Sequence, residues 1–223
     1  MTQVRERADA AETPTAPRAG TRRGAWRTLL HWFGMACLMV AAGFAGYIVW
    51  SLWGTGLHTA EAQQRLRTEF NQELQAAPGG PSAAPELVPL GDAYAQIEIP
   101  SIDLNFMVVQ GTGYDDLKDG PGHYPDTADP WDDSGRVGIA GHRTTYQAPF
   151  FNLDKLSPGE AITLRTTSGT FQYRIDRVFV VPSAGSGRVL VQTPKPSLVL
   201  TTCNPKYSSA ERLIVVARRV AVT

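Results

Sequence analysis

Residues 198–217 read LVLTTCNPKYSSAERLIVVA, and this stretch decides the fold. Its apolar start predicts a buried strand that ends in two threonines and Cys203. Asn204-Pro205 predicts the end of that strand, and a second strand is predicted to begin at Arg212. The stretch therefore predicts two neighbouring strands that hold a thiol beside a permanent cation. A thiol becomes a nucleophile only as a thiolate, and nearby positive charge favours that form.

The chain from Asp92 onward shows short predicted strands separated by turn residues, with no long helix. The predicted strands are 95–99, 105–110, 136–140, 161–165, 171–181, 189–192, 198–202 and 212–222. One helical turn is predicted over 114–118. About eight strands in about 130 residues predict an all-β domain, a small closed or nearly closed β-barrel with short helical turns. Closure also hides strand edges that would otherwise promote aggregation.

Charge and cysteine content exclude several classes of protein. The 21 basic side chains equal the 21 acidic ones, so the sequence lacks the basic excess that is typical of a nucleic-acid binder. The two cysteines, Cys37 and Cys203, are far apart in sequence, and no disulfide is predicted. No Cys/His spacing suggests a zinc site.

The amino-terminal region predicts a membrane anchor. Residues 1–28 are rich in Ala, Thr, Pro and Arg and predict a disordered tail. Residues 29–53 are long and apolar enough to span a bilayer and predict an uncleaved signal-anchor helix that crosses the plasma membrane once. The arginines precede this span, so the tail is expected in the cytoplasm and the rest outside the cell. The alternative is a cleaved signal peptide, for which a shorter apolar core is typical.

Residues 54–91 are expected to connect the anchor to the barrel. Leu66, Phe70 and Leu74 recur at four-residue spacing, which predicts a helical stalk with a thin apolar stripe. The sequence leaves open whether this stripe packs on the domain or on the membrane surface. A Pro- and Gly-rich spacer ends the stalk, and the barrel is predicted over 92–223.

A histidine is also predicted at the rim of the barrel. His142 follows an apolar strand through Gly141, and a Cys–His pair brought together in space is a known nucleophilic arrangement. The alternatives are a buried inert Cys203, a rim histidine that is only hydrogen-bonded, and an Arg212 that pairs with an acidic neighbour on the surface. His123 lies in a Gly-Pro turn and is expected to be structural.

Local sequence around these residues resembles the sortase family. Residues 141–146 read GHRTTY, residues 200–203 read LTTC, and Arg212 follows Cys203 after nine residues. The family signature at the nucleophile is T-L-x-T-C, and Val199 replaces its first threonine here. The segments 120–125 and 140–150 look most like class E sortases of high-GC Gram-positive bacteria.

The resemblance implies a cysteine transpeptidase that acts on secreted proteins with a carboxy-terminal L-P-x-T-G-like sorting signal; class E members tend to take L-A-x-T-G. Cys203 would attack the Thr carbonyl and release the Gly segment. An amine of a lipid-linked peptidoglycan precursor would then resolve the acyl-enzyme. His142 would protonate the leaving amine and deprotonate the incoming one, and Arg212 would hold the carbonyl oxygen or the peptide backbone.

Three further residues are implied to contact the substrate. Thr202 is expected to help shape the groove, and Tyr114 and Tyr146 are candidates to recognise the second position of the signal.

No cofactor is expected. The alternative is a calcium ion held by loop carboxylates, as in some other sortase classes. The acidic residues concerned are Asp115, Asp116, Asp119, Asp126, Asp129, Asp132 and Asp133. No EF-hand spacing is present, so these side chains are expected to be solvated.

Two alternative functions remain open at the level of sequence. Asp129-Pro-Trp131 matches the lid tripeptide of pilus-building class C sortases, although it falls inside the barrel sequence here. A pilin polymerase is therefore one alternative. A non-catalytic, membrane-tethered sortase-like binding barrel is the other.

Overall fold

The computed structural model describes residues 22–50, 55–76 and 88–220. It divides into two compact units, Met1–Gly46 and Tyr47–Thr223, which are described separately. Most of the predicted tail, the end of the predicted span and nearly all of the Pro-rich spacer lie outside the described residues.

The first described element is the apolar helix α1, which covers Arg22–Val49. Its segment Trp26–Val49 has a mean hydropathy of 1.8 and is long and apolar enough to cross a membrane. The helix begins seven residues before the predicted span, because residues 22–28 contain no proline and the helical hydrogen bonds continue beyond the apolar run. By length and composition, α1 fits either an anchor or a signal sequence.

The second unit is built on eight strands and two further helices. The strands are β1 (Ala93–Ile99), β2 (Leu104–Gln110), β3 (Gly122–His123), β4 (Arg136–Ala140), β5 (Ala161–Thr166), β6 (Gly169–Pro182), β7 (Ser197–Asn204) and β8 (Glu211–Val220). The helices are α2 (Thr55–Ala76) and the single turn α3 (Asp116–Asp119). The strands close into a barrel in the order β1-β2-β3-β4-β7-β8-β6-β5. The predicted eight-stranded, all-β barrel is confirmed.

One predicted strand is wrong, and one observed strand was not predicted. Residues 189–192 do not pair in the sheet; Ser186–Leu190 form a 3-10 helix instead. Side chains tie this segment to β4, since Gln192 Oε1 accepts a hydrogen bond from Arg136 N at 2.8 Å. The missing strand is β3, whose two residues join β2 to β4. Two residues are too few to show an apolar alternation in sequence.

β7 and β8 are apolar on both faces because both faces are covered. Leu198, Leu200 and Val215 belong to the core inside the barrel. Val199 and Ile214 belong to a second cluster on the outer face, covered by side chains of β6 and of the 3-10 helix. Burial on both faces explains the near-continuous apolar runs around Cys203.

Helix α2 packs against the outside of β1 and β2. Leu66 and Phe70, both almost fully buried, contact Ala93, Met107 and Val109. The apolar stripe that the sequence predicted therefore packs on the barrel wall, through residues spaced by one helical turn.

A side chain of α2 also completes the sheet where β3 is too short. Gln63 Oε1 accepts a hydrogen bond from Met107 N at 2.7 Å, and Gln63 Nε2 donates to Met107 O at 2.9 Å and to Asp119 O at 2.8 Å. The amide of Gln63 takes the place of a strand residue, so that the buried backbone groups of Met107 are satisfied.

Candidate active site

Strand order brings the three predicted catalytic residues together. β4 and β7 are parallel, with Ala140 opposite Thr201, and His142 and Cys203 each follow two residues later. β7 and β8 are antiparallel, with Cys203 opposite Arg212. His142, Cys203 and Arg212 therefore lie on three neighbouring strand ends, and neighbouring strands are about 4.8 Å apart.

Cys203 and Arg212 share the outer face of the sheet with a narrow cleft. Side chains alternate along a strand, so Cys203 lies on the same face as Thr201 and Val199. The cleft has a volume of about 120 Å³; Tyr124, Thr201, Arg212, Ile214 and the 3-10 helix Ser186–Leu190 line it. Tyr124 Oη and Thr201 Oγ1 are hydrogen-bonded at 3.1 Å. The cleft is lined by Arg212, the residue opposite Cys203 in the β7–β8 ladder.

Gly141 and Phe150 fix the backbone at His142. A Cβ atom at Gly141 would come within 2.6 Å of the buried ring of Phe150, so only glycine fits at this position. His142 O accepts a hydrogen bond from Phe150 N at 3.0 Å. Packing against Phe150 thus requires glycine at position 141, directly before His142.

The imidazole of His142 is partly buried, and this burial lowers its pKa. Its Nε2 atom is buried and has no hydrogen-bond partner among the described residues. The ring lies 4.8 Å from the ring of Tyr146. A neutral imidazole at neutral pH is the form that can take a proton from a thiol or an amine.

Tyr146 and Tyr114 lie on the histidine side of the site. A hydrogen bond between the two tyrosine side chains raises the pKa of Tyr146. Tyr146, Gln147 and Ala148 all have positive φ, at 53°, 59° and 46°. Three successive non-glycine residues in the left-handed region are strained, and such strain persists only where surrounding contacts hold it.

Arg212 interacts with backbone carbonyl groups. Its Nη1 donates to Ser209 O and to Glu211 O, each at 2.9 Å. The carboxylate of Glu211 instead accepts a hydrogen bond from Asn204 Nδ2 at 2.8 Å. The guanidinium has five N–H donors, and Arg212 also lines the cleft.

Thr202 faces away from the cleft. It is 3% exposed, and its Oγ1 donates to Gly141 O at 2.8 Å. The structure places Thr201, one residue earlier, among the residues that line the cleft. Thr202 instead holds the backbone that carries His142.

Arg143 is the main residue at the site that the sequence analysis did not single out. It is 4% exposed and forms an ion pair with Asp154, with Nη2 3.3 Å from Oδ2. Burial acts to raise the pKa of Asp154, but the charges of Arg143 and Lys206 hold that pKa below its usual value. The only signal in sequence was its position directly after His142.

The acidic loop residues are dispersed among separate partners. Asp115 pairs with Lys118, Asp119 pairs with Arg65, and Asp116 accepts a hydrogen bond from Gly113 N. Within 22–50, 55–76 and 88–220, no group of three or more His, Cys, Asp or Glu side chains could hold a metal ion.

The Asp129-Pro-Trp131 tripeptide is packed onto the barrel. Asp129 Oδ1 accepts a hydrogen bond from Tyr94 Oη at 2.6 Å, Pro130 O accepts one from Arg219, and Trp131 packs against the core. These contacts fix the loop that leads into β4.

Comparisons with known proteins identify relatives of this barrel. A family model described as a Sortase domain matches residues 97–220. The chain is 30% identical over 197 residues to Sortase D of Bacillus subtilis, covering 84% of this chain and 96% of that protein. It is also 30% identical over 189 residues to Sortase SrtE1 of Streptomyces coelicolor, covering 78% of this chain and 52% of that protein.

A solved structure shows the same fold. The Clostridium perfringens Sortase D5 transpeptidase superposes with a TM-score of 0.60 at 28% identity, covering 73% of this chain and 98% of that chain. Sortases of both the D and the E type are thus among the relatives. The chain belongs to the sortase family of cysteine transpeptidases.

Proposed function

We propose that this sortase cleaves an L-A-x-T-G or L-P-x-T-G type sorting signal between Thr and Gly and joins the secreted protein to the amine of a lipid-linked peptidoglycan precursor. The observation that carries the proposal is the placement of Cys203 between His142 and Arg212 on three neighbouring strand ends, next to one cleft. A class E-like preference for Ala at the second position rests on the resemblance of residues 120–125 and 140–150.

The first half of the reaction forms the acyl-enzyme. The sulfur of Cys203 attacks the carbonyl carbon of the signal threonine, and the C–N bond to glycine breaks. His142 takes the proton of the Cys203 thiol and passes it to the leaving amine. The products are a thioester on Cys203 and a free peptide that begins with glycine.

The second half transfers the acyl group. The acceptor amine attacks the thioester carbon and gives a proton to His142, and the C–S bond breaks. His142 returns that proton to the leaving sulfur, which regenerates the thiol group. The same imidazole thus protonates the leaving amine and later deprotonates the incoming one.

Arg212 stabilises the oxygen that becomes negative in both halves. Its guanidinium is permanently charged and lines the cleft beside the cross-strand Cys203. A planar cation with several donors can bind an oxyanion and a peptide carbonyl at once. No metal ion is required for any of these steps.

Helix α1 is proposed to anchor the enzyme on the outer side of the plasma membrane. Both substrates of the proposed reaction, a sorting signal beside a retained tail and a lipid-linked amine, are confined near that surface. A tether raises the effective concentration of enzyme and substrate in this thin layer.

The experiment incubates the full chain in detergent with L-A-x-T-G or L-P-x-T-G peptides and a small amine. We expect cleavage at the Thr-Gly bond and an amide product. C203A is expected to lower the rate at least about 10⁴-fold, because it removes the nucleophile. The matched control C37A, which changes the only other cysteine, should leave the rate unchanged. The same assay with a chelator should also show an unchanged rate.

The outcomes separate the alternatives. Products that form only with a pilin lysine as acceptor would identify a pilin polymerase. A folded protein that cleaves none of the peptides and transfers none of them would support a binding role. Equal rates in C203A and the wild type would rule out a thiol mechanism.

A further inference from the structure

Arg143 contacts two other segments at the active-site end of the barrel, the end of β7 and the turn at Asp154. Its Nη1 donates to Cys203 O at 3.2 Å and to Asn204 Oδ1 at 2.6 Å. Its Nη2 pairs with Asp154 at 3.3 Å. At 4% exposure, the side chain is closed to substrate.

The contacts of Arg143 continue to the third strand end. Asn204 binds Arg143 through its oxygen and Glu211 through its nitrogen, the latter at 2.8 Å. Asn204 and Glu211 lie opposite each other in the β7–β8 ladder, one step beyond Cys203 and Arg212. Three side chains are therefore linked across β4, β7 and β8.

Each member of this linked set is the sequence neighbour of one proposed catalytic residue. Arg143 follows His142, Asn204 follows Cys203, and Glu211 precedes Arg212. We infer that Arg143, Asn204 and Glu211 form a positioning triad that sets the mutual placement of the catalytic side chains, with Arg143 as its central member. This inference rests on the roles proposed above for His142, Cys203 and Arg212.

The chemistry of arginine suits the central place in the triad. A guanidinium offers five donors in a rigid plane and can bond a carbonyl, an amide oxygen and a carboxylate at once. A lysine offers one compact charge and cannot span all three acceptors. Asp154, itself paired with Lys206 at 3.4 Å, compensates the charge of the buried cation.

The triad is proposed to set the distances between the catalytic side chains. Its removal should therefore lower turnover more than it weakens substrate binding. Displacement of reacting groups by about 1 Å costs about 10²-fold in rate. R143A is therefore expected to lower kcat about 10²-fold with the sorting peptide, with KM changed less than about 3-fold. R143K should recover part of the lost kcat, and so should millimolar guanidine added to R143A, since alanine leaves a cavity of that shape.

The matched control is R218A. Arg218 also forms an ion pair, with Asp176, but it is exposed. It lies opposite Ser197, the first residue of β7, far along the strand from Cys203. R218A should leave kcat and KM unchanged. N204A should follow R143A in direction, and it replaces R143A as the test if R143A does not fold.

A second readout measures the placement directly, without any sorting peptide. H142C in a C37S background places a thiol next to Cys203, and a bifunctional thiol reagent can join the two sulfur atoms. When R143A is combined with H142C in this background, we expect cross-linking to slow at least about 10-fold. The segment after β4 that carries position 142 is then no longer held to β7. R218A combined with H142C in the same background should leave the cross-linking rate unchanged.

The two readouts separate this inference from the proposed function. If wild type cleaves no sorting peptide but cross-linking still depends on Arg143, the proposed function fails and the positioning role stands. If wild type cleaves the peptide, and R143A changes neither kcat nor the cross-linking rate, the positioning role fails. A folded R143A that raises KM with unchanged kcat would also overturn it.

Discussion

Single residues show how burial alone gives the two histidines of the barrel different chemistry. His142 is partly buried at the strand ends, and burial lowers its pKa. His123 is 1% exposed and stacks on Tyr94 with ring centroids 4.1 Å apart. Burial lowers the pKa of His123 to about 4, although a hydrogen bond to Ala128 O opposes the shift. His123 therefore stays neutral and structural.

His123 should make the barrel sensitive to acid. Above about pH 6.5 it is neutral in the folded and the unfolded chain, so it adds no pH dependence there. As the pH falls from 6.5 to about 4, the unfolded chain binds the proton first, and on the order of 3 kcal/mol of stability is lost. Thermal unfolding at a series of pH values measures this loss.

The variant H123Q should be less stable than wild type but should lose less stability across this pH range. The matched control is H58Q, because His58 is exposed, and H58Q should retain most of the acid-dependent loss. Equal losses in H123Q and wild type would contradict a neutral, buried His123.

The sequence predicted those site residues that have a distinctive local pattern. Cys203 stands at the end of an apolar strand, and His142 follows a strand and a glycine, so the local pattern was enough to predict both as candidates. Arg143 was not found, because its role depends on contacts with Asn204 and Asp154, which are 61 and 11 residues away. Such long-range hydrogen bonds leave no periodic signal in sequence.

Among the elements, α2 is the one whose role the sequence left open. Its spacing predicted a stalk with a thin stripe, and the structure shows that Gln63 also completes the ladder beside β2. A side-chain amide that replaces a strand residue cannot be predicted from hydrophobic pattern. Hydrophobic pattern also failed for two short segments. The two residues of β3 are too few to show a pattern, and the apolar run 189–192 was assigned to a strand although Ser186–Leu190 form a 3-10 helix.

Loss of the Gln63 amide should destabilise the barrel. Q63A leaves the buried N–H and C=O of Met107 without their partner, which costs about 1–3 kcal/mol. The matched control Q64A removes a similar but exposed side chain from the same helix and should change stability by less than about 0.5 kcal/mol. Chemical denaturation of both variants gives the comparison. Equal stability of Q63A and Q64A would show that α2 does not complete the sheet.

At the scale of the whole molecule, barrel topology is what turns distant sequence positions into one site. β4 and β7 are parallel neighbours, although 60 residues separate His142 from Cys203, and β8 returns Arg212 beside the thiol. The order of the strands in the barrel could not be read from their sequence pattern. Relatives of the D and the E type share this family, so we expect the barrel to set the chemistry and the loops around the cleft to set the choice of substrate.

The most direct test of the central claim is intact-mass spectrometry of the full chain mixed with excess sorting peptide and no amine. We predict a mass increase equal to the acyl part of the peptide, mapped to Cys203 and removed when a small amine is added. Cleavage of the peptide without any adduct on Cys203, or an adduct on Cys37 instead, would contradict the account.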